Sequence, residues 1–481
     1  MIRSVPRPRA FVVRPSCLRR HRATLRAFAY IGLSWLYLTI LVAGCLGPLQ
    51  LFAYLPGYVA DFSPDNFILA SLLVAASAAL LPKREDGAAL FAWLVLFLFL
   101  VPIAAVFACS DRDALLPLGS FAAFLAAAGL VLGSPLRVHR SCPRDIDRLL
   151  RSDTINLVLL LMIVFSVAML ALAVVTQGPP TLEALDLDKV YDIRGQSTMG
   201  SGMSALMQLA SLMFVPLVII VFLCRDHRLA ALAMSGLQLL FYLSTANKAW
   251  ILIVVLIWGL YLVTRFSVKP LPLLVLLTAG VAAATVLTWV FPERCLAAYS
   301  LLVRRLLILP AILRFDYFTF FQDHPTVGLQ GTLPGMFLPD ERAYGDVDYQ
   351  VQISQMTWGS LHSTHANTGL FGGEFANFGL GAFVAIVINL MVLLAFFRVS
   401  PRNEESRAFQ SMLAVLSAFI LLNISSVRLL YSSIGLAFAA ASVVLFICLD
   451  QRCDASGVVS RTSRGAGGSI ACPPSERSGS L

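Results

Sequence analysis

The chain is divided into long apolar segments of about 20 residues that contain almost no charged side chain. A helix of that length can cross the roughly 30 Å of hydrocarbon in a bilayer. Over the whole chain 58% of the residues are hydrophobic and only 13% are charged, whereas soluble domains carry about 25% charged residues. The sequence therefore predicts an integral membrane protein rather than a soluble protein of two or three domains.

Twelve membrane-spanning helices are predicted from hydropathy. Their approximate positions are residues 28–50, 66–82, 88–109, 115–133, 155–176, 204–224, 229–246, 249–264, 271–290, 376–397, 409–425 and 432–449. The predicted fold is all-α: a polytopic helix bundle of about 12 transmembrane helices over residues 28–450, with two large outer loops, 177–203 and 291–375. Residues 1–27 are predicted as a basic cytoplasmic tail, and residues 451–481 as a disordered cytoplasmic tail rich in Ser, Gly and Arg.

The distribution of positive charge predicts the orientation. With both termini in the cytoplasm, 26 of the 36 Lys and Arg residues lie on the cytoplasmic side, as the positive-inside rule requires. The net charge of +9 follows from these residues and suits an anionic lipid leaflet better than nucleic acid. The nine cysteines show no disulfide framework, and only Cys109 and Cys295 are predicted to approach the outer face.

Among the basic residues predicted on the outer side, five are candidates for binding an anion: Arg194, Lys248, Arg304, Arg305 and Arg314. A planar guanidinium can bind phosphate oxygens through two parallel hydrogen bonds. The alternative for each residue is that it extends to lipid head groups. Because few basic residues are expected beside outer span ends, we favour a binding role for Arg304 and Arg314, on an interfacial helix predicted over Val303–Phe321.

The candidates for acid–base chemistry lie close to the tenth predicted span. His362 and His365 are suited to accept a proton from a hydroxyl nucleophile, although His365 could equally make only a structural hydrogen bond. Glu374 stands at the membrane boundary, where an unpaired carboxylate is costly, so an arginine partner or a functional role is expected. No further ligands follow at metal-binding spacing and no nucleotide motif is present, so we predict neither a metal nor a cofactor.

Four stretches follow one another along the predicted outer loops: Lys189–Arg194, Asn247–Lys248, Arg304–Phe321 and Ala366–Gly381. Together they resemble the Wzy-type oligosaccharide repeat-unit polymerases, the O-antigen polymerases of bacterial surface polysaccharide assembly. The chain departs from the family pattern at Asp316, which precedes a single Tyr317 where relatives often carry several tyrosines.

This resemblance implies a GT-C-like membrane glycosyltransferase in the bacterial inner membrane, with its two large loops and their interfacial helices in the periplasm. It implies that repeat units carried on undecaprenyl diphosphate are the substrate, and that a growing chain is transferred to the incoming unit. The five basic residues would then bind the diphosphate, and Tyr191, Tyr317 and Asn367 the glycan. His365 is the implied catalytic base, with Glu374 as the alternative. The implied partners are membrane lipids and the chain-length regulator and flippase of the same pathway.

Two other functions remain open from the sequence. An O-antigen ligase, which transfers finished glycan to lipid A core, shares the bundle and the long outer loop, and His365–Asn367 also resembles the ligases. A non-enzymatic flippase for lipid-linked oligosaccharide is the second alternative. Carriers place ionisable residues near the middle of several spans, whereas here they gather at one face.

Overall fold

The structure is a computed structural model. It describes residues 15–54, 58, 60–134, 152–181, 183, 201–245, 247–264, 270–329, 349–359 and 369–464. All regular elements within these ranges are helical.

Sixteen helices make up the described part of the chain. They are α1 Pro15–Leu46, α2 Pro64–Leu80, α3 Gly87–Ala108, α4 Leu115–Leu132, α5 Ser152–Gln177, α6 Met203–Cys224, α7 Arg228–Thr245, α8 Lys248–Thr264, α9 Pro270–Val290, α10 Pro292–Asp323, α11 Tyr349–Trp358, α12 Gly372–Phe378, α13 Ala382–Phe397, α14 Glu404–Leu421, α15 Ser426–Tyr431 and α16 Ser433–Arg464. Short π-helical segments interrupt α3, α6 and α10.

Polar capping residues determine where several helices begin. The side chain of Ser63 accepts a hydrogen bond from the backbone of Asn66, directly before Pro64 at the start of α2. Asp86 caps α3 in the same way. Asn403 and Ser406 form a reciprocal capping box at the start of α14. Each cap satisfies an N–H group that the first helical turn leaves free, so these short polar connections define the helix boundaries.

Hydrogen bonds between connections show that the bundle has two ends. At one end, where α1 and α3 finish and α2 and α4 begin, Asp61 N donates to Cys109 O at 2.9 Å. We call this the loop end, because the chain also enters both long predicted loops from it; Thr181, at the first loop, bonds to Leu243 near the end of α7. At the opposite, terminal end, Asn403 Nδ2 donates to Leu449 O at 2.8 Å.

Each of the twelve predicted spans coincides with a helix. Within the described residues nine helices are long and apolar enough to cross a membrane, and two further apolar helices, Pro64–Leu80 and Ala249–Leu262, are shorter. A multi-pass helical membrane protein is therefore confirmed, while the number twelve stays a prediction. One of these nine helices, Pro292–Asp323, lies where the sequence predicted an outer loop with an interfacial helix.

The contacts of α10 show how an apolar 32-residue helix can belong to a loop region. Near its start, the Thr288 hydroxyl donates to Cys295 O, and the Tyr299 hydroxyl donates to Gly44 O at 2.9 Å. Near its other end, Asp316 pairs with Arg112 in the connection between α3 and α4. Both ends of α10 therefore lie at the loop end of the bundle, and the helix runs across that end.

The predicted tails also differ from the structure. Helix α1 begins at Pro15 and so includes part of the predicted basic tail, 1–27. Helix α16 continues to Arg464, past the predicted start of the disordered tail at 451. Leucine, arginine and alanine are good helix formers, and their frequency in residues 15–27 accounts for the extension of α1, whereas residues 451–464 contain few of them. The remainder of both tails lies outside the described residues.

Candidate functional site

Buried charge is concentrated at the loop end. The described residues contain four buried charged side chains: Arg314, Asp316, Glu374 and Asp450. Asp450 lies at the terminal end, where it accepts hydrogen bonds from Arg402 N, just before α14, and from Ser406 Oγ in the first turn of α14. The other three belong to α10 and α12 at the loop end. Because charge inside a membrane bundle is costly, this cluster is the main candidate for a functional site.

Glu374 is carried into the bundle by a buried turn, Gly369–Phe371. Leu370 and Phe371 are completely buried, and Leu370 N donates to Leu421 O at 2.8 Å. A Cβ atom on Gly369 would lie 1.7 Å from Leu421 O, so only glycine fits there. Phe371 has φ of 78°, a conformation that costs a non-glycine residue about 1–3 kcal/mol. The turn is a strained, non-helical backbone segment that is protected by surrounding protein, as such segments within membranes must be.

The guanidinium of Arg314 holds this turn from the other side. Arg314 Nε donates to Leu370 O at 2.9 Å, and Nη1 makes a longer contact of 3.4 Å with Phe99 O. The same guanidinium lies 4.9 Å from the centre of the Phe99 ring. Phe99 lies nine residues before the end of α3, a distance of about 13 Å along the helix axis. Arg314 is therefore fully buried, and it links α10, α3 and the turn.

Glu374 is the end point of a chain of buried hydrogen bonds. Its Oε1 accepts from both the backbone N and the Oγ of Ser426, each at 2.7 Å. Ser426 Oγ in turn accepts from Asn389 Nδ2 at 2.8 Å, and Asn389 Oδ1 accepts from the Tyr431 hydroxyl at 3.1 Å. Every donor in this chain points toward Glu374, an arrangement that stabilises a negative charge on its carboxylate.

Arg314 and Glu374 each retain one unused polar atom. Within the described part of the chain, Arg314 Nη2 and Glu374 Oε2 are buried without a hydrogen-bond partner. The two charges attract one another, although the structure does not join them in a direct ion pair. Buried polar atoms are nearly always hydrogen-bonded, so an unpaired donor and an unpaired acceptor on opposite charges indicate a small polar gap between α10 and α12.

Arg304 lies in a separate cluster of aromatic residues. Its guanidinium stands 4.1 Å from the centre of the Phe52 ring, and its Nη2 donates to Ser300 Oγ at 2.7 Å. A weaker contact of 3.5 Å reaches the Tyr58 hydroxyl, and the Tyr58 ring packs on Trp358 of α11 at 4.9 Å. Burial raises the pKa of Tyr58, while the charge of Arg304 acts in the opposite direction. Tyr58 thus stays a neutral phenol beside a partly exposed cation.

A third polar contact joins α10 to the second loop segment. Arg112 Nη1 donates to Asp316 Oδ1 at 2.8 Å and to Ile312 O at 3.2 Å. The other carboxylate oxygen, Asp316 Oδ2, accepts from Thr357 Oγ1 at 2.8 Å. Since Thr357 belongs to α11, Asp316 fixes that helix to the connection between α3 and α4.

Five of the predicted site residues lie within the described part of the chain, and their burial and contacts differ. Arg304 and Arg305 are partly exposed on the π-helical segment of α10, whereas Arg314 is buried a few turns further on. Arg304 and Arg314 share no hydrogen-bond partner among the described residues. Tyr317 is buried against Tyr349, with their rings 6.1 Å apart. Glu374 lies beside the Arg314 cluster.

The side chains of the other five predicted site residues lie outside the described part of the chain. Tyr191, Arg194, His365 and Asn367 lie outside the described residues. Lys248 is the first residue of α8, and its side chain lies outside the described part as well.

Sequence reasoning did not single out Ser426, Asn389, Arg112 or Tyr58. Asn389 could have been found, because it is a lone amide in the middle of an apolar span. Arg112 lies in the short connection between α3 and α4, and its partner Asp316 is 204 residues away in the chain. Contacts of that separation leave no local pattern in a single sequence.

The described residues contain no group of three or more His, Cys, Asp or Glu side chains that could hold a metal ion. What the loop end does contain is the buried cation Arg314 with the buried carboxylate Glu374, and, in a separate cluster, the partly exposed Arg304 packed against aromatic rings. Such an arrangement can bind an anionic head group and orient a neighbouring polar group. Comparisons of the chain with protein-family models, with curated proteins and with solved structures found no match.

Proposed function

We propose that this chain is a membrane glycosyltransferase that polymerises oligosaccharide repeat units carried on undecaprenyl diphosphate at the periplasmic face of the bacterial inner membrane. The observation that supports this most is the collection of Arg304, Arg314, Asp316 and Glu374 around one helix at the loop end. A lipid diphosphate enters from the membrane with its charge at the interface, so a helix lying across one end of the bundle is well placed to receive it.

In this proposal Arg304 binds the diphosphate leaving group. It is partly exposed, and the rings of Phe52 and Tyr58 fix the plane of its guanidinium. A cation held in place before the reaction stabilises the charge that develops on the departing diphosphate. Arg305 is adjacent, and Arg194 and Lys248 complete the set on the same side.

The role that we propose for Arg314 differs from the diphosphate-binding role that the sequence suggested. Its Nε donates to the Leu370 carbonyl, and its whole side chain is buried, so it acts on the turn rather than directly on a diphosphate. By holding Leu370, Arg314 fixes the buried turn Gly369–Phe371, which begins four residues after His365 in the sequence.

His365 is the proposed catalytic base. Removing the proton from an acceptor sugar hydroxyl as the new bond forms contributes about 10² to 10⁴ in rate. Glu374 was the alternative, but it is buried and its Oε1 is already bonded twice to Ser426. We therefore expect His365→Ala to abolish turnover in a reconstituted assay while substrate still binds, and Glu374→Gln to leave measurable activity. The reverse pattern would make Glu374 the base.

The polysaccharide profile of a deletion strain tests the proposed reaction. A lipid core that bears a single repeat unit indicates loss of a polymerase. Polymer retained on undecaprenyl diphosphate indicates loss of a ligase instead, and would refute the proposal.

One observation favours a second candidate, a carrier for lipid-linked oligosaccharide. The chain of hydrogen bonds from Glu374 reaches Asn389, which lies at the middle of α13. Carriers build their sites from broken helices near the centre of the membrane. The same deletion strain separates the two, because loss of a carrier removes all outer-face repeat units.

An arginine-to-lysine exchange tests the role of Arg304. Lysine keeps the charge but cannot form a two-pronged contact or stack in the same plane, so Arg304→Lys should lower polymer synthesis at least about tenfold. Arg228→Lys is the matched control, since Arg228 is exposed at the terminal end, where it pairs with Asp226 at 2.9 Å. Equal polymer length in both variants, at equal protein level, would contradict the role of Arg304.

A further inference from the structure

Two cysteines that are far apart in sequence meet at the loop end. Cys45 stands in the last turn of α1, and Cys109 directly follows α3. The Cys45 and Cys109 thiols interact with one another. Cys109 Sγ also contacts Val42 O, one turn before Cys45 on α1, at 4.0 Å. Both side chains are buried and both are free thiols in the structure.

The backbone around the pair is held in register. Asp61 N and Ser63 N donate to the carbonyls of Cys109 and Ala108 at 2.9 and 3.0 Å. On the α1 side, Gln50 Nε2 donates to Cys45 O at 2.8 Å. Two thiols that interact across neighbouring, fixed segments of backbone are candidates for a disulfide. The sequence pointed only to Cys109 and Cys295 as cysteines near this face, and Cys45 was missed because it belongs to a span.

We infer that Cys45 and Cys109 form a structural disulfide at the loop end of the bundle. This inference rests on the proposed function only for the compartment, since the loop end faces the oxidising periplasm in that proposal. The oxidant is a protein disulfide of the thiol–disulfide oxidoreductase class. One cysteine thiolate attacks the donor disulfide to give a mixed disulfide, and the second then displaces the donor thiolate. The products are the Cys45–Cys109 disulfide and a reduced donor dithiol, and the two protein thiol protons pass to the donor sulfurs.

The order of synthesis gives the oxidant access to a pair that is buried in the finished protein. Both cysteines lie within the first 109 residues, and α1 and α3 pack on one another. Tyr299 of α10, which bonds to the neighbouring Gly44, is made much later. The pair can therefore be oxidised before α10 covers it.

The disulfide would support the Arg304 cluster. Gln50 Nε2, which bonds to Cys45 O, also contacts Tyr58 O at 3.3 Å. Tyr58 is one of the two rings against which Arg304 packs. Joining α1 to the end of α3 therefore fixes the first segment of the loop end, from which both Phe52 and Tyr58 extend.

Mass spectrometry of the full-length protein tests the inference. Membranes are isolated without reductant, quenched in acid, and alkylated under denaturing conditions before and after reduction. We expect at least half of the protein to carry a cross-linked peptide pair containing Cys45 and Cys109. Cys224 and Cys448 should be alkylated as free thiols. Alkylation of both Cys45 and Cys109 without prior reduction overturns the inference, as does a disulfide between Cys109 and Cys295.

A stability measurement gives a second, independent readout. Dithiothreitol should lower the midpoint of thermal unfolding of the wild-type protein by several degrees, and should leave the Cys45→Ser/Cys109→Ser double variant unchanged. Cys295→Ser is the matched control and should respond to dithiothreitol as the wild type does. A wild-type midpoint that does not change on reduction overturns the inference. Both readouts are independent of polymer synthesis, so a Cys45–Cys109 disulfide would stand even if the deletion strain made normal polymer, a result that would refute only the proposed function.

Discussion

The coupling between Arg314 and Glu374 can be measured with a double-mutant cycle. Glu374→Gln removes the charge but retains an oxygen that can accept the two bonds from Ser426. It leaves Arg314 as a buried cation without a nearby carboxylate. At an effective dielectric constant of about 20, two charges about 4 Å apart interact by roughly 4 kcal/mol. This is an upper limit here, because the two groups do not form a direct ion pair, and we expect Glu374→Gln to cost about 2 kcal/mol.

Arg314→Gln should cost more. It weakens the charge-assisted hydrogen bond to Leu370 O, which is worth about 1.5–3 kcal/mol, and it leaves Glu374 as an uncompensated buried anion. The double variant leaves neither charge alone. We therefore expect it to be more stable than the sum of the single variants predicts, by at least about 1 kcal/mol.

Reversible unfolding in mixed micelles, followed by tryptophan fluorescence, gives the four free energies of unfolding that the cycle needs: those of the wild type, the two single variants and the double variant. Arg305→Gln combined with Glu374→Gln is the matched control, because Arg305 is partly exposed on the same helix. Effects in that control pair should add within about 0.5 kcal/mol. If Arg314→Gln and Glu374→Gln also add within that margin, the two charges do not act together and the reasoning fails.

Two further predictions concern the turn and the orientation of the bundle. Gly369→Ala places a Cβ atom 1.7 Å from a backbone oxygen and should abolish folded protein in fluorescence-detected size-exclusion chromatography, whereas Gly280→Ala on α9, with open space around it, should be neutral; equal folded yields would contradict the tight packing of the turn. Cysteines placed at Gly200 and Gly345 in a cysteine-free background should react with an impermeant thiol reagent in whole cells, and protection of both until lysis would reject a periplasmic loop end.

The helical membrane bundle was predictable because each span is defined by its own stretch of sequence. About 20 consecutive apolar residues define a span wherever they occur, and all twelve predicted segments proved to be helical. The interfacial helix predicted over Val303–Phe321 is part of the longer α10. Because α10 is long and apolar enough to cross a membrane, hydropathy alone does not distinguish it from a span. Only its partners, Tyr58 and Arg112, show that it stays at the loop end.

The candidate site was predictable only in part. Arg314 and Glu374 were both identified as unusual because charge beside a span is costly. Their actual environment depends on the turn at Phe371, whose positive φ has no signature in a phenylalanine. It also depends on Ser426, which is 52 residues from Glu374 and is an ordinary serine in the sequence. Such contacts are produced by tertiary packing and not by local preference.

The π-helical segments have a consequence for how this protein can vary. A π-helical turn bonds residue i to residue i+5 and so holds one residue more than an α-helical turn. Deleting one residue within Ser300–Ile308 would let the helix return to ordinary α-helical bonding without breaking. The residues beyond the deletion, Arg314 included, would then keep the faces that they now present, because the deleted residue is the one that the wider turn accommodates. A deletion within an α-helical part of α10 would instead rotate everything beyond it by about 100°, so a change of one residue in length is tolerated best at Ser300–Ile308.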